Sequence, residues 1–339
     1  MVLKLSDYDY YLPEELIAQE PVEPRDSSKL MVVSRESGEI SICIFRDIHR
    51  FLRKGDVLVL NDTKVIPARI YGRKETGAKI EVLLLKKIDD LTFSALIKPG
   101  RRAKIGSKIL FKDDVFCEVL ERNEDGIFLL KFSTPNLENI LPEIGKIPLP
   151  PYIKKPLENP ERYQTVYAKK LGSVAAPTAG LHFTPELLEN LKNMGIEILY
   201  ITLHVGLGTF RPVVVDDITK HKIDPEYYEI SEEVSYRINK AKEEGRRIIA
   251  VGTTVTRTLE GNREGSRVKA GKGLVDLFIY PGFEFKIIDG LITNFHLPKS
   301  TLLMLVSAFM GYDLMKKAYA KAIEERFRFY SFGDAMFIY

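Results

Sequence analysis

Three of the five histidines in this 339-residue chain share one kind of setting. His182 lies in Pro-Thr-Ala-Gly-Leu-His-Phe-Thr, His204 in Thr-Leu-His-Val-Gly-Leu-Gly-Thr-Phe-Arg-Pro, and His296 in Thr-Asn-Phe-His-Leu-Pro-Lys-Ser. Each is expected where a strand gives way to a loop or a helix cap, the place where α/β sheets bind ligands. Histidine is the side chain whose ordinary pKa suits proton transfer near neutrality, so a shared site would do general acid–base work. One such histidine is as well explained by a structural hydrogen bond; three in one setting favour a site. His49 and His221 lie in charged stretches and read as surface residues.

A fourth segment, Ala250 to Glu260, runs from a strand through small hydroxyl residues into a helix carrying Arg257. Backbone N–H groups at such a helix start, around Thr253, suit an anionic group, and Arg257 is spaced to pair with a carboxylate. An ordinary capped helix with a surface arginine is the plainer alternative. Gly206-Leu207-Gly208 lacks the third glycine of a dinucleotide fingerprint, and no phosphate-binding loop, His-Glu-x-x-His or Gly-x-Ser-x-Gly occurs. A metal could be held only by dispersed ligands. Two basic stretches could neutralise phosphates. One is the turn with Lys98, Arg101, Arg102 and Lys104. The other is a run in which Lys154, Lys155, Arg162, Lys169 and Lys170 alternate with Tyr152, Tyr163 and Tyr167, tyrosines that could stack on unpaired bases. Solvated charged loops are the plainer reading of both.

The elements that must position these residues are legible in outline. A chain this long predicts roughly two domains. Val57 to Leu60 is apolar at every position and reads as a strand buried on both faces. From Arg69 to Phe132, six short strands with turn signals and no helix describe a small antiparallel barrel. They are Arg69–Arg73, Lys79–Lys87, Leu91–Ile97, Lys108–Lys112, Val115–Glu121 and Ile127–Phe132. Beyond the Pro148–Pro151 linker, helix and strand alternate again. Helices are expected from Thr184 to Met194, Glu232 to Glu244, Ser300 onward and Asp313 to Phe327. Strands are expected over Ile196–His204, Arg247–Val251, Leu274–Tyr280 and Phe285–Thr293. A short helix is expected at Leu12–Ile17, and a hairpin over Lys29–Val33 and Glu39–Phe45. Because the Val57–Leu60 strand matches the later ones in kind, the barrel (67–148) is read as an insertion into one larger α/β domain (1–66 and 149–339).

Net charge is +3, too mild to announce a nucleic-acid partner by itself. The first twenty residues have no apolar leader, and the longest apolar run, Leu302 to Met310, is too short to span a bilayer. Cys43 and Cys117, the only two cysteines, read as small core hydrophobes. Together these features predict a soluble cytoplasmic protein.

Several of these segments are long and unusual in composition. Leu12-Pro13-Glu14-Glu15-Leu16-Ile17-Ala18-Gln19, Asn61 to Arg69, Ala176 to Thr184, Leu203 to Pro212, Ile292 to Pro298 and Ser331 to Met336 closely resemble the S-adenosylmethionine:tRNA ribosyltransferase-isomerases of queuosine biosynthesis. The resemblance covers essentially the whole chain. It departs at Thr254-Val255-Thr256-Arg257-Thr258, where Thr-Thr-Ser-Val-Arg-Thr is expected, and after His221, where Lys222 replaces a second histidine. It implies an open α/β barrel with an inserted β-barrel, acting as a monomer. The implied reaction moves the ribosyl group of S-adenosylmethionine onto 7-aminomethyl-7-deazaguanine at the tRNA wobble position. Rearrangement to epoxyqueuosine releases adenine and methionine. S-adenosylmethionine is then a consumed substrate, and neither cofactor nor metal is needed. Given that chemistry, His182, His204 and His296 are expected to share the proton transfers. Asn294 and Arg211 are expected to position sugar hydroxyls or the methionine carboxylate, and one of Phe183, Phe210 and Phe295 to face the sulfonium. The competing readings are a metal-dependent hydrolase using the three histidines and a non-catalytic RNA-binding module.

Overall fold

A strand apolar at every position needs cover on both faces, and Val57 to Leu60 has it. The computed structural model describes residues 3–112, 114–206 and 213–339. Along the chain come β1 (Lys29–Val33), β2 (Ile40–Ile44), β3 (Val57–Asn61) and β4 (Thr63–Val65). Next are β5 (Arg69–Lys74), β6 (Lys79–Lys87), β7 (Thr92–Lys98), β8 (Lys108–Leu110), β9 (Phe116–Arg122), β10 (Phe128–Phe132), the single-turn helix α1 (Leu141–Ile144) and β11 (Gly145–Lys146). Then follow β12 (Lys170–Ser173), α2 (Pro185–Asn193), β13 (Glu197–Leu203), β14 (Glu226–Ile230), α3 (Glu232–Glu243), β15 (Ile248–Val251) and α4 (Thr253–Gly261). The chain closes with β16 (Arg263–Glu264), β17 (Arg267–Val268), β18 (Gly271–Val275), β19 (Gly290–Asn294), α5 (Thr301–Met310), α6 (Tyr312–Glu324) and β20 (Ala335–Ile338).

The chain divides into two compact units: Met1–Lys64, Pro151–Lys170 and Ala176–Tyr339 form one, Val65–Pro150 and Leu171–Ala175 the other. Leu171–Ala175 was expected in the larger unit and groups instead with the smaller. The larger unit is built on a nine-stranded mixed sheet in the order β18-β14-β13-β3-β15-β19-β20-β1-β2. Its centre, β13-β3-β15-β19, is parallel throughout. Val57, Val59, Ile201, Ala250 and Leu291 pack into one core with residues of α3 to α6. Their neighbours Leu58, Leu60, Val251 and Ile292 pack into another with Leu187, Leu188 and Leu191 of α2. The alternation of one strand therefore feeds two cores.

In the smaller unit β5, β6, β7, β10, β9 and β8 pair in sequence, and a β5–β8 pairing closes the ring into a barrel, with β11 added beside β5. All six barrel strands start within one residue of the expected positions. Every second residue points inward: Ile80, Val82 and Leu84 of β6, Cys117 and Val119 of β9, Phe128, Leu130 and Phe132 of β10. Closure leaves no unpaired edge within the ring. Cys117 is fully buried there, whereas Cys43 on β2 is only half-buried.

Three expectations fail locally. The Leu12–Ile17 helix is one 3₁₀ turn, Glu14–Leu16, because the chain turns extended at Ile17 and pairs with Phe329. The strand expected over Phe285–Thr293 begins only at Gly290. The preceding N–H groups of Lys286, Ile287 and Ile288 donate to the buried Glu260 carboxylate rather than to a neighbouring strand. The strand expected over Leu274–Tyr280 ends at Val275 and begins earlier, at Gly271.

Candidate active site

The carboxyl ends of β13, β15 and β19 open on one cleft of about 720 Å³, counting its mouth. Ligands in α/β sheets sit at such ends. Val205 follows β13, Gly252, Thr253 and Thr254 follow β15, and Thr293 to Leu297 come from the end of β19 and the turn after it; all line the cleft. Gly252 has φ +98°, a conformation that favours glycine and turns the chain from β15 directly into α4. The helix therefore starts at the cleft, with its first N–H groups and positive dipole end there. α4 is buried from Thr253 to Glu260. Its threonines suit that burial because Thr256 and Thr258 donate to carbonyls one turn back, at 3.2 and 2.8 Å.

His296 lines this cleft and is 9% exposed. Its Nε2 meets Thr293 Oγ1 at 2.8 Å. Its backbone is pinned on both sides, the N–H donating to Tyr319 Oη at 3.1 Å and the carbonyl accepting from Tyr10 Oη. Nδ1 makes no hydrogen bond among the described residues. Burial pushes the pKa of His296 down to about 3, so the imidazole is neutral near pH 7.

His182 lies in a 3₁₀ turn, Thr178–His182, rather than at a strand end. Both ring nitrogens are engaged, Nδ1 with Ser28 Oγ at 2.7 Å and Nε2 with Asn294 Nδ2 at 3.2 Å. Asn294 Oδ1 accepts from Thr178 Oγ1 at 3.0 Å. An amide N–H can only donate, so Nε2 is the acceptor and the proton sits on Nδ1. Burial, then Arg328 and Arg25, lowers this pKa to about 3. His182 thus backs Asn294, which lines the cleft, and does not line it itself.

His204, half-buried, stands just past β13 and stacks on Tyr227 at 5.5 Å. Its Nδ1 meets Thr63 Oγ1 at 2.8 Å, and burial lowers its pKa. The Asn61-Asp62-Thr63 segment holds this corner. Asn61 bonds both backbone groups of Leu203, at 2.9 and 3.0 Å, and accepts the Thr63 N–H at 3.1 Å.

The three histidines therefore do not meet around one cavity; they ring the same strand ends in three environments. Arg257 is not at the surface. It is 2% exposed, its Nη1 lies 2.5 Å from Glu226 Oε2, and its Nε donates to Leu277 O at 3.0 Å. Glu226 in turn accepts the Gly206 N–H at 2.8 Å. Phe183 is a core residue set edge-on against Phe45. The Phe295 ring is packed among Tyr319, Phe327 and Phe329. Phe210 and Arg211 lie outside the described residues.

Tyr152 and Tyr330 also line the cleft, 4.8 Å apart between centroids. Tyr330 has φ +73°, an outlying conformation for a bulky residue. Tyr152 Oη meets Ser331 Oγ at 2.7 Å. Gly333 follows closely, and a Cβ there would come within 2.4 Å of Arg328 O. The sequence singled out Tyr152 only as a tyrosine of the basic run that could stack on bases, and Tyr330 not at all; the Ser331–Met336 segment is legible only as an unusual motif.

Lys98, Arg101, Arg102 and Lys104 are exposed on the smaller unit, Arg101 and Arg102 in the 3₁₀ turn Gly100–Arg102 and the two lysines on either side of it. Lys154 and Lys155 are exposed on the larger unit, paired with Glu14 and Glu20. Tyr163 is buried rather than free to stack on a base.

A cleft at the ends of parallel strands, with a helix start and a neutral histidine on its wall, is the active-site arrangement of an α/β enzyme. The chain belongs to the family described as queuosine biosynthesis protein, whose model matches residues 5–338. The S-adenosylmethionine:tRNA ribosyltransferase-isomerase of Carboxydothermus hydrogenoformans is 55% identical over 338 residues, covering 99% of this chain and all of that protein. The protein of the same name from Thermosipho melanesiensis is 56% identical over 337 residues, with the same coverage. Among solved structures, the S-adenosylmethionine tRNA ribosyltransferase of Thermotoga maritima is 40% identical, with a TM-score of 0.57 over 98% of this chain and all of that one. No helix among the described residues is long and apolar enough to cross a membrane.

Proposed function

We propose that this protein transfers and isomerises the ribosyl group of S-adenosylmethionine onto 7-aminomethyl-7-deazaguanine at the tRNA wobble position, giving epoxyqueuosine. It acts as a cytoplasmic monomer and consumes S-adenosylmethionine as a substrate. The observation that carries the reading is the cleft in which His296, Asn294 and the Thr253 helix start come together, in a chain similar end to end to relatives bearing that name.

The chemistry asks for proton transfers and needs no metal or redox group. The sulfonium acidifies the adjacent 5′ carbon and makes methionine a good leaving group. His296 takes the 5′ proton at Nδ1, while Nε2–H donates to Thr293 Oγ1. Neutrality makes this imidazole an acceptor at pH 7. The imidazolium so formed at His296 is a strong acid and passes the proton on to adenine as it departs, while His204, whose pKa burial also lowers, offers Nε2 as a hydrogen-bond partner at the neighbouring strand end. Asn294 orients the sugar hydroxyls and is itself oriented by His182. Tyr152 and Tyr330 offer ring faces to the sulfonium. The neutral aminomethyl group of the base then attacks the ribosyl fragment. Lys98, Arg101, Arg102 and Lys104 neutralise tRNA phosphates, with Lys154 and Lys155 as weaker contributors.

Incubation with S-adenosylmethionine and tRNA carrying the aminomethyl-deazaguanine is expected to release adenine and methionine in equal amounts and to leave epoxyqueuosine in the tRNA. Failure to release adenine would reject this reading in favour of a non-catalytic RNA-binding module. Hydrolytic activity that depends on stoichiometric bound metal would favour the hydrolase instead.

A further inference from the structure

Beside the cleft lies a second, smaller pocket of about 250 Å³, lined by Pro21, Val22, Arg25, Arg162, His182 and Ser331, among others. It shares Ser331 with the cleft, and the His182–Asn294 hydrogen bond spans the two. Positive charge is crowded here. Arg25 donates to two backbone carbonyls, Glu161 O at 3.0 Å and Leu181 O at 3.4 Å, and has no carboxylate within ion-pair distance among the described residues. Arg328, whose charge bears on His182, likewise makes no ion pair among the described residues. Arg162 donates to Val22 O at 2.6 Å and, among the described residues, pairs only with Glu23, which is 76% exposed. Burial, then Arg162, lowers the Arg25 pKa to about 10 despite the opposing charges of Glu23 and Glu161, and burial lowers that of Arg328 despite Asp334 and Glu20. A half-buried guanidinium next to like charge is costly unless an anion completes the set. The neutral His182 in the same wall adds no further positive charge.

We propose that this pocket is an oxyanion site, in which Arg25 and Arg162 hold a carboxylate or phosphate group beside the ribosyl-transfer cleft. Two oxyanions are available under the function proposed above, on which the assignment of the source rests: the methionine carboxylate of S-adenosylmethionine, and a backbone phosphate of the tRNA. Either would be gripped by planar donors whose geometry matches it.

The site itself is tested without turnover. Inorganic phosphate is expected to raise the melting temperature of the wild-type protein and to do so much less for Arg25→Gln and for Arg162→Gln. No rise in wild type, or an equal rise in both variants, overturns the proposal. Two variants are used because Arg25 also braces the carbonyls of Glu161 and Leu181; Arg162→Gln leaves those bonds in place. Kinetics then distinguish the sources. If the carboxylate is bound, Arg25→Gln raises KM for S-adenosylmethionine about tenfold or more, and the variant no longer discriminates against the decarboxylated analogue. If a tRNA phosphate is bound, KM for tRNA rises and the slope of its logarithm against log salt falls by about one. Neither KM moving in folded variants overturns the site. Phosphate stabilisation that persists in a protein unable to release adenine would count against the function and leave the anion site standing.

Discussion

Keeping two imidazoles neutral inside a folded protein links its stability to pH. An unfolded histidine takes up a proton near pH 6.5, whereas His182 and His296 in the fold hold out to about 3. Between those values the unfolded chain binds more protons than the native one, so stability rises with pH and is lost as pH falls from about 6.5 toward 3. Each histidine contributes up to about 1.4 kcal/mol per pH unit across that window. Urea denaturation at pH 7 and pH 5 is expected to show a clear loss at the lower pH, reduced in His182→Gln. An unchanged pH slope in that variant would mean His182 is not held neutral. The same residue separates two roles at the site. His182 acts on the cleft through Asn294, so His182→Gln, which keeps an acceptor for the Asn294 amide, is expected to retain more activity than His182→Ala. Equal losses in single-turnover adenine release would remove that positioning role.

Among elements, α4 and β14 are joined by the buried Arg257–Glu226 pair, and Glu226 also holds the Gly206 backbone. Removing one member leaves an uncompensated buried charge. Glu226→Gln is therefore expected to destabilise the protein by about 3–5 kcal/mol, read as a lower urea midpoint at unchanged slope. A loss below about 1 kcal/mol would show the pair to be more hydrated than its burial indicates. This pair also marks a limit of sequence reading. A strand leading into a threonine-rich helix is legible in Ala250 to Glu260, and the helix does start at the cleft. Which way Arg257 points depends on a glutamate 31 residues away, and local pattern carries no such information. β14 went unseen for a similar reason, since Glu-Tyr-Tyr-Glu-Ile shows no clean alternation until its neighbours β13 and β18 are in place. The barrel strands, whose inward and outward residues alternate regularly, were legible almost to the residue. So were α2 and α5, whose caps Thr184 and Ser300 bond the N–H groups of Leu187 and Leu303. At the cleft, Tyr152 was legible only as a tyrosine of the basic run and Tyr330 not at all, because the two come from segments far apart in sequence with no periodic signature.

At the scale of the whole molecule, a net charge of +3 gives no strong general pull on a polyanion, so tRNA affinity must rest on local clusters. Arg101→Ala with Arg102→Ala is expected to weaken tRNA binding and to lower the slope of log affinity against log salt by about 1.5 to 2. Lys154→Ala with Lys155→Ala is expected to change the slope less, because Glu14 and Glu20 already neutralise those lysines. Filter binding over a salt series checks both, and an unchanged slope in the arginine variant would take tRNA binding away from that turn. Under the proposed function the ribosyl group leaves adenine in the β19 cleft, with His296 as the base. The most direct test of this is single-turnover adenine release by His296→Ala, with saturating S-adenosylmethionine and substrate tRNA. The account predicts a rate lower by about 10²- to 10⁴-fold in a protein that still binds both substrates; a folded variant releasing adenine at the wild-type rate would contradict it.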